Sequence, residues 1–244
     1  MMRYTRHIRL TGFGERSQER VENSKILVIG AGGLGSPVLL YLAAAGVGTL
    51  GIVDDDVVDI SNLQRQVLHT SEDEGILKTQ SAEERLTALN PHVHIERHPY
   101  RITSENAAQI ASSYDLVIDC SDNFQTRYLI DRVCEQQKIP HVWGAVIAYY
   151  GQVSVFLHDG LATSATLQDV YPQSQKYEDL PSPGVKGTFG PLCGMVGSFM
   201  AAEALKIVAG VGSIMAGKLA LIDVFNSDLR TIPIIKRSME TVKD

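Results

Sequence analysis

Cysteine is scarce in this sequence. Its 244 residues contain three cysteines, and no two of them stand in Cys-x-x-Cys spacing. A disulfide scaffold needs a higher density of cysteines, so that class of secreted domain is excluded and a reducing compartment is indicated. The first residues, MMRYTRHIRL, also lack the apolar core of a signal peptide. We therefore expect a cytoplasmic protein.

A long hydrophobic run and an excess of positive charge are missing as well. The most apolar stretch, residues 38–53, contains three glycines and is followed by three aspartates. It is too short to span a membrane and is typical of a helix, a turn and a strand. The formal net charge of -6 argues against a general nucleic-acid binder. We expect neither a membrane nor a nucleic acid as partner.

Strand and helix patterns alternate through roughly the first 150 residues. The predicted strands are residues 25–30, 49–54, 93–98 and 114–120. The predicted helices are residues 36–45, 78–90 and 123–137. A further helix is predicted between the third and fourth strands, with Ser104 as its N-cap and Glu105 in its first turn. This alternation predicts an α/β fold with a doubly wound, Rossmann-like, mainly parallel sheet.

The second half departs from this alternation. Residues 158–189 have no periodicity, which is typical of a lid, a crossover or a disordered segment. Beyond them, Gly194, Gly197 and Ala201 share one face of a long apolar helix and permit close packing. The predicted elements are strands 141–148 and 151–157, helix 191–210, and strands 218–224 and 230–236, which add antiparallel strands at the C-terminal side.

The sequence VIGAGGLGSP, residues 28–37, follows the first strand with four glycines. Gly30, Gly32 and Gly35 fit G-x-G-x-x-G, in which the glycines permit a tight turn, close approach of a phosphate, and close packing of helix on strand. Asp54 ends the second strand, where a carboxylate binds ribose hydroxyls. The pattern predicts a bound nucleotide and fits NAD and ATP equally.

The next segment favours ATP. Arg65 and Lys78 supply positive charge that a triphosphate needs more than a pyrophosphate does, and Asn62 is placed to orient a phosphate oxygen or a ribose. Asp122 follows the fourth strand, where ligands bind in such sheets. A carboxylate beside a polyphosphate suggests Mg²⁺ between them. The alternative is that Asp122 caps the helix that begins near Asn123.

Six segments resemble the MoeB/ThiF/HesA family, the bacterial relatives of ubiquitin-activating enzymes. They are RYTRHIRL, GAGGLGSP, LGIVDDDVVDISNLQRQVLH, GILKTQSAEERLTALNP, DLVIDCSDNFQTRYLI and MAAEALKIVAG. The resemblance covers nearly the whole chain. It implies that Mg-ATP is used to adenylylate the C-terminal Gly-Gly carboxylate of a ubiquitin-like sulfur-carrier protein. It also implies one adenylyltransferase domain, with an arm (1–24), a nucleotide-binding core (25–157), a crossover loop (158–189) and a C-terminal helix and strands (190–244).

The resemblance also implies roles for single residues. The ribose-binding acid falls on Asp54, and the catalytic acid associated with Mg²⁺ falls on Asp122. Arg6 matches the arginine that reaches the ATP phosphates of the partner subunit, so a homodimer is expected. The catalytic set is Asp122, Arg65, Lys78 and Arg6. The full nucleotide set is Gly30, Gly32, Gly33, Gly35, Asp54, Asp56, Asn62, Arg65, Gln66, Lys78, Asp122 and Asn123.

Two features of the family are missing here. Many members bind zinc through two Cys-x-x-Cys pairs, but this chain has Thr163 and Thr166 at the first pair and RSMETVKD, residues 237–244, at the second. Without thiolates we expect no zinc site. His92 and His94 have strand spacing and are interpreted as a solvated edge.

Some members also carry an acceptor cysteine in the crossover loop, and this loop has none. Cys193, just inside the long helix, is interpreted as a core residue rather than a nucleophile. Cys120 is expected at the end of a buried strand, and Cys134 in a helix core. The chain is therefore expected to stop at the acyl adenylate.

Several functions remain open at this point. The carrier could serve molybdopterin, thiamin or a related thio-metabolite. The same chemistry could act on another carboxylate, in a peptide or a modified tRNA. A nicotinamide-dependent oxidoreductase and a scaffold that binds nucleotide without turnover use the same fold. An attacking carboxylate is already ionised at neutral pH, so the missing Ser-His-Asp or Cys-His constellation does not oppose adenylylation.

Overall fold

The computed structural model describes residues 2–159, 161, 164–173 and 187–236. Within them, one sheet is formed by β1 (Lys25–Ile29), β2 (Thr49–Val53), β3 (His94–His98), β4 (Leu116–Asp119), β5 (His141–Ile147), β6 (Tyr150–Phe156), β7 (Lys218–Asp223) and β8 (Asp228–Pro233). Its order is β3-β2-β1-β4-β5-β6-β7-β8. The first five strands are parallel, and the last three add antiparallel pairings. The predicted fold class is confirmed.

Helices cover both faces of this sheet. They are α1 (Thr5–Ile8), α2 (Gly14–Asn23), α3 (Gly35–Ala45), α4 (Lys78–Leu89), α5 (Ala107–Ala111), α6 (Phe124–Gln137), α7 (Leu167–Val170) and α8 (Gly190–Ala209). Because strand side chains alternate between faces, β1 contributes to two cores. Ile26 and Val28 belong to the core with α3 and α8, and Leu27 and Ile29 to the core with α5 and α6.

The helix expected to begin at Ser104 begins later, so that prediction was wrong. The helix runs over Ala107–Ala111 with Asn106 as its N-cap residue. Residues 103–106 instead form a turn that is held by side chains. Thr103 Oγ1 accepts from the Glu105 N–H at 3.3 Å, and Asn106 Oδ1 accepts from the Thr103 N–H at 2.8 Å. Local side-chain bonds of this kind compete with helix formation.

The long helix α8 has the length and hydropathy of a membrane span, but half of it is buried inside the protein. A Cβ on Gly197 would lie 2.4 Å from Pro37 Cγ, so this glycine allows α8 to pack against α3. A Cβ on Gly194 would meet nothing within 4 Å, so the expectation that Gly194 permits close packing was wrong.

The N-terminal arm is docked on its own chain. Tyr4 is buried, and its hydroxyl accepts from Asn90 Nδ2 at 2.9 Å. A Cβ on Gly46 would lie 2.4 Å from the Tyr4 ring. Gly46 and Asn90 follow α3 and α4 and lie at the edge of the sheet where the parallel strands begin. The exposed Arg6 therefore lies near the edge of the sheet where the parallel strands begin, opposite the carboxyl ends of the strands, where the glycine turn lies.

Several predictions fall outside the described residues. Thr163, residues 237–244 and most of the crossover loop belong to this group. Thr166 is described, and its backbone N–H donates to Asp169 Oδ2 at 2.9 Å where α7 begins. His92 and His94 are exposed at the start of β3, as expected for a solvated edge.

Candidate active site

A cavity of about 410 Å³ opens at the carboxyl ends of the parallel strands. This volume is in the range of small-molecule sites, and this edge of a parallel sheet is where such folds bind ligands. Gly35 and Arg6 are not part of its lining. The predicted residues that line it are Gly30, Gly32, Gly33, Asp54, Asp56, Asn62, Arg65, Gln66, Lys78, Asp122 and Asn123.

The glycine turn connects β1 to α3. Gly30 has φ +96°, a conformation that side chains disfavour. A Cβ on Gly35 would lie 2.0 Å from the Gly30 carbonyl oxygen, so only glycine lets α3 start this close to the strand. A Cβ on Gly32 would make only ordinary contact with the Gln66 amide, at 3.6 Å. The two glycines thus have different roles, because Gly35 permits close packing of helix on strand and Gly32 leaves open space at the cavity.

Asp54 holds the glycine turn from the end of β2. Its Oδ2 accepts from the Ala31 N–H at 2.8 Å, and its Oδ1 accepts from the Asp56 N–H at 2.9 Å. Burial raises the pKa of Asp54 above its usual range, and the nearby positive charge of Lys78 offsets part of this effect. The carboxylate therefore has a fixed position at the cavity wall.

Lys78 is the first residue of α4, and its side chain is buried at the cavity. Its ammonium nitrogen lies 2.7 Å from Asp56 Oδ2. Its backbone N–H donates to the Asp56 carbonyl at 3.0 Å, so two bonds connect α4 to the segment after β2. The structure brings the cation to the strand ends, as the sequence predicts.

Asn62, Arg65 and Gln66 form one group on the turn after β2. Asn62 Oδ1 accepts from Gln66 Nε2 at 2.6 Å and from the Arg65 guanidinium at 3.4 Å. Gln66 is buried, and its Oε1 has no hydrogen-bond partner in the described part of the chain. A buried acceptor without a donor is typical of a site completed by a ligand or by water.

The cap of α6 is Asn123, not Asp122. Asn123 Oδ1 accepts from the Thr126 N–H at 2.9 Å, which is the N-cap bond. Asp122 is exposed, faces the cavity, and accepts one weak bond from the Asn123 side chain at 3.3 Å. The capping alternative for Asp122 is therefore excluded, and its carboxylate is available to a ligand.

The model of the ThiF family matches residues 4–242, nearly the whole chain. The chain belongs to the ThiF family. The probable adenylyltransferase/sulfurtransferase MoeZ of Mycobacterium tuberculosis is 44% identical over 96% of this chain, and the sulfur carrier protein adenylyltransferase of Thermus thermophilus is 46% identical over 95%. The chain spans 60% of the MoeZ sequence and 86% of the Thermus protein.

A solved structure of Escherichia coli MccB has the same fold. The two superpose with a TM-score of 0.82 over 98% of this chain and 71% of MccB, at 18% sequence identity. This likeness concerns the Rossmann-like architecture, including the mixed sheet described above.

Sequence reasoning missed two arginines of this ThiF-family site. Arg101 follows β3 and lines the cavity, so the rule applied to Asp122, that ligands bind after parallel strands, also points to it. Arg127 is buried on α6, where its guanidinium donates to the Ser121 carbonyl at 3.0 Å and stacks over the Phe124 ring. Burial lowers the pKa of Arg127, and Asp119 and Asp122 counteract this. The burial of Arg127 depends on tertiary packing, so no local sequence pattern indicates it.

His69 was also missed. Its two ring nitrogens lie 2.7 Å from Ser81 Oγ and 2.9 Å from the Ala31 carbonyl oxygen. Burial lowers the pKa of His69, so the ring is neutral at neutral pH. Because the Ala31 N–H also donates to Asp54, both backbone polar groups of this residue in the glycine turn are held.

The cysteines of the cavity are buried thiols. Burial raises the pKa of Cys193 to about 11, although Arg65 opposes the shift, and it raises the pKa of Cys120 well above its usual value. Cys134 is buried in α6. These positions support the core interpretation of all three. No histidine is among the described residues that line the cavity.

Proposed function

We propose that this protein uses Mg-ATP to adenylylate the C-terminal glycine carboxylate of a ubiquitin-like sulfur-carrier protein, with release of pyrophosphate. One observation carries the proposal. The Asp122 carboxylate, which does not cap a helix, lines the same cavity as Lys78 and Arg65, at the strand ends beside the glycine turn. An acid and two cations around one anion site suit phosphoryl chemistry more than hydride transfer.

The cavity residues fit ATP and Mg²⁺. The turn at Gly32 leaves room for a phosphate, and Asp54 is fixed where a ribose hydroxyl would donate to it. Arg65 and Lys78 would offset the charge of the triphosphate. Asp122 would hold Mg²⁺, which supplies further charge neutralisation at the phosphates.

The reaction needs positioning more than proton transfer. A carrier carboxylate is ionised at neutral pH. One of its oxygens forms a bond to the α-phosphorus, and the bond from that phosphorus to the pyrophosphate oxygen breaks. Lys78 and Arg65 counter the charge that crowds around the reacting phosphorus. The lack of a histidine in the described lining agrees with a step that requires no general base.

The carrier is proposed from the relatives. The Thermus thermophilus relative is named a sulfur carrier protein adenylyltransferase, and this chain spans 86% of it. We place the reaction in a sulfur-transfer pathway of the cytoplasm, where ATP is available, with residues 1–244 as one adenylyltransferase domain. We further propose that the protein acts as a homodimer in which Arg6 serves the partner's cavity. The exposed position of Arg6, at the edge of the sheet where the parallel strands begin, supports this assignment.

The test is ATP–pyrophosphate exchange with a carrier that ends in Gly-Gly. Exchange should require the carrier, and a carrier shortened by its last glycine should give none. Thermal unfolding should shift upward with ATP and Mg²⁺ and stay unchanged with NADH or NADPH. Stabilisation by a nicotinamide cofactor, or exchange with a short peptide but with no carrier, would contradict the proposal.

A further inference from the structure

Three buried metal-ligating side chains meet where α6 packs near the start of β5 and the end of β6. They are Asp131 of α6, His141 at the start of β5 and His158 just after β6, and none of their side chains is more than 3% exposed. Asp131 Oδ1 lies 3.7 Å from His141 Nδ1 and 3.6 Å from His158 Nε2. One ligand atom from each of the three lies within 4.8 Å of the other two.

The polar atoms of this cluster are not satisfied by one another. Both ring nitrogens of His141 and of His158 are buried and have no hydrogen-bond partner among the described residues. The contacts at 3.6 and 3.7 Å are too long to be hydrogen bonds. Buried polar groups in folded proteins are nearly always paired, so four unpartnered imidazole nitrogens, two of which face the Asp131 carboxylate, indicate a missing species.

The backbone at His158 is strained. His158 has φ +53°, in the left-handed region that a side chain seldom occupies. A strained residue of this kind persists when its surroundings require it, and here the strain accompanies an imidazole directed at Asp131. Asp131 is itself oriented, because its Oδ1 accepts from the Leu167 N–H at 3.2 Å.

We propose that Asp131, His141 and His158 bind a divalent transition-metal ion, zinc in the first place. Zinc bonds of about 2.0–2.1 Å in tetrahedral geometry separate neighbouring ligand atoms by roughly 3.4 Å. The two separations from Asp131, 3.6 and 3.7 Å, need only a small contraction, and the ligand nitrogens of His141 and His158, within 4.8 Å of each other, would move together on binding. Two imidazoles and one carboxylate are a donor set that zinc accepts, and a water molecule would complete the coordination.

Asp119, at the end of β4, supports the site from outside. Its Oδ2 lies 3.9 Å from His141 Nε2 and is buried without a hydrogen-bond partner in the described residues. Metal-bound imidazoles commonly direct the other nitrogen to a carboxylate in this way. The carboxylates of Asp119 and Asp131 together balance the charge of a divalent ion. Asp119 Oδ1 also accepts from the Ser121 N–H at 2.8 Å, which links the site to the Asp122 loop.

This site differs from the zinc site that the sequence analysis excluded. That exclusion concerned thiolates near residues 159–167 and 237–244, whereas the present donors are imidazole and carboxylate. Asp131, His141 and His158 are absent from the lining of the nucleotide cavity, so the site does not depend on the proposed function. A proton shared by His141 and the two carboxylates, or a buried water, are the competing explanations.

Metal analysis of the untagged protein decides between these explanations. Protein purified without chelators should contain about one zinc per chain, as a structural site does. The double variant His141→Gln/His158→Gln should lose it, because an amide is a poor zinc ligand. The matched control His92→Gln/His94→Gln removes two exposed histidines outside the cluster and should keep it. Retention of zinc by the cluster variant would overturn the proposal.

A second measurement uses only the unmodified chain, in case the cluster variant does not fold. The protein is stripped with a chelator, and its unfolding temperature is followed as ZnCl₂ is returned. The temperature should fall on stripping and recover at one equivalent, and CoCl₂ should give the visible absorption bands of tetrahedral cobalt. Absence of bound metal together with no response to zinc or cobalt would leave the proton or the water as the explanation.

Discussion

The ammonium nitrogen of Lys78 lies 2.7 Å from Oδ2 of Asp56, and the two side chains differ sharply in exposure. The lysine side chain is 5% exposed and that of Asp56 is 68% exposed. A buried cation is thus paired with a carboxylate that reaches it from the solvent side. Phosphate oxygens entering the cavity can take the place of this carboxylate, which returns to water at little cost.

The variant Lys78→Ala should bind ATP weakly and lose about 10²–10³-fold in exchange rate, the range seen when one electrostatic donor is removed from a site. The measurement is carrier-dependent pyrophosphate exchange. Asp56→Ala is the informative partner variant, because the family resemblance places Asp56 in the nucleotide-binding set, whereas its ion pair with Lys78 makes it a competitor of the phosphate. ATP should raise its unfolding temperature more than that of the unmodified protein, and a smaller rise would show that Asp56 binds the nucleotide directly.

Two glycines of the turn should behave oppositely when replaced by alanine. Gly35→Ala places a Cβ 2.0 Å from the Gly30 oxygen and should prevent stable folding. Gly32→Ala meets only ordinary contacts and should fold with an unfolding temperature close to that of the parent, yet bind ATP more weakly. Thermal unfolding with and without ATP measures both effects. Normal ATP binding by a folded Gly32→Ala protein would show that phosphates do not approach this turn.

Stability should decrease in mild acid, partly through His69. Its pKa in the folded protein lies below the usual 6.5, so on acidification the unfolded chain binds a proton first. Unfolding free energy is therefore lost as pH falls below about 6.5, towards the folded pKa. Urea unfolding at about pH 7.5 and about pH 5.5 should show a smaller loss for His69→Gln than for the parent.

Much of the fold follows from local sequence. Continuous apolar runs such as residues 26–29 are buried on both faces and predict the parallel strands. The glycine turn and Asp54 after β2 could likewise be predicted, because their positions follow directly from the ends of predicted strands. The start of α5 was not, since the side chains of Thr103 and Asn106 decide it through bonds that propensity does not weigh.

The candidate site was predictable where one segment carries both the motif and its position. Lys78 and Asp122 are examples. Arg127 and His69 act through burial and through contacts with distant segments, so a linear pattern does not single them out. The cluster at Asp131 is an extreme case, because its side chains come from α6, the start of β5 and the segment after β6, and only tertiary packing brings Asp131 to the hairpin of β5 and β6.

Arg6 should act on the cavity of a second copy of the chain. Arg6→Ala and Asp122→Ala proteins should each lose on the order of 10³-fold in exchange rate, the effect of removing an arginine finger. When the two variants are mixed and exchange subunits, a heterodimer contains one cavity with both residues intact and should regain activity. Verified heterodimers without activity, or a fully active monomer, would refute the assignment in trans.

The most direct measurement of the central claim is carrier-dependent ATP–pyrophosphate exchange by Asp122→Ala. The control is Asp228→Ala, which removes an acid from the distant hairpin of β7 and β8. Because Asn123 provides the helix cap, Asp122→Ala should keep the parent's unfolding temperature. We predict that exchange falls to background for Asp122→Ala and is unchanged for Asp228→Ala. Full exchange by a folded Asp122→Ala protein would contradict the account.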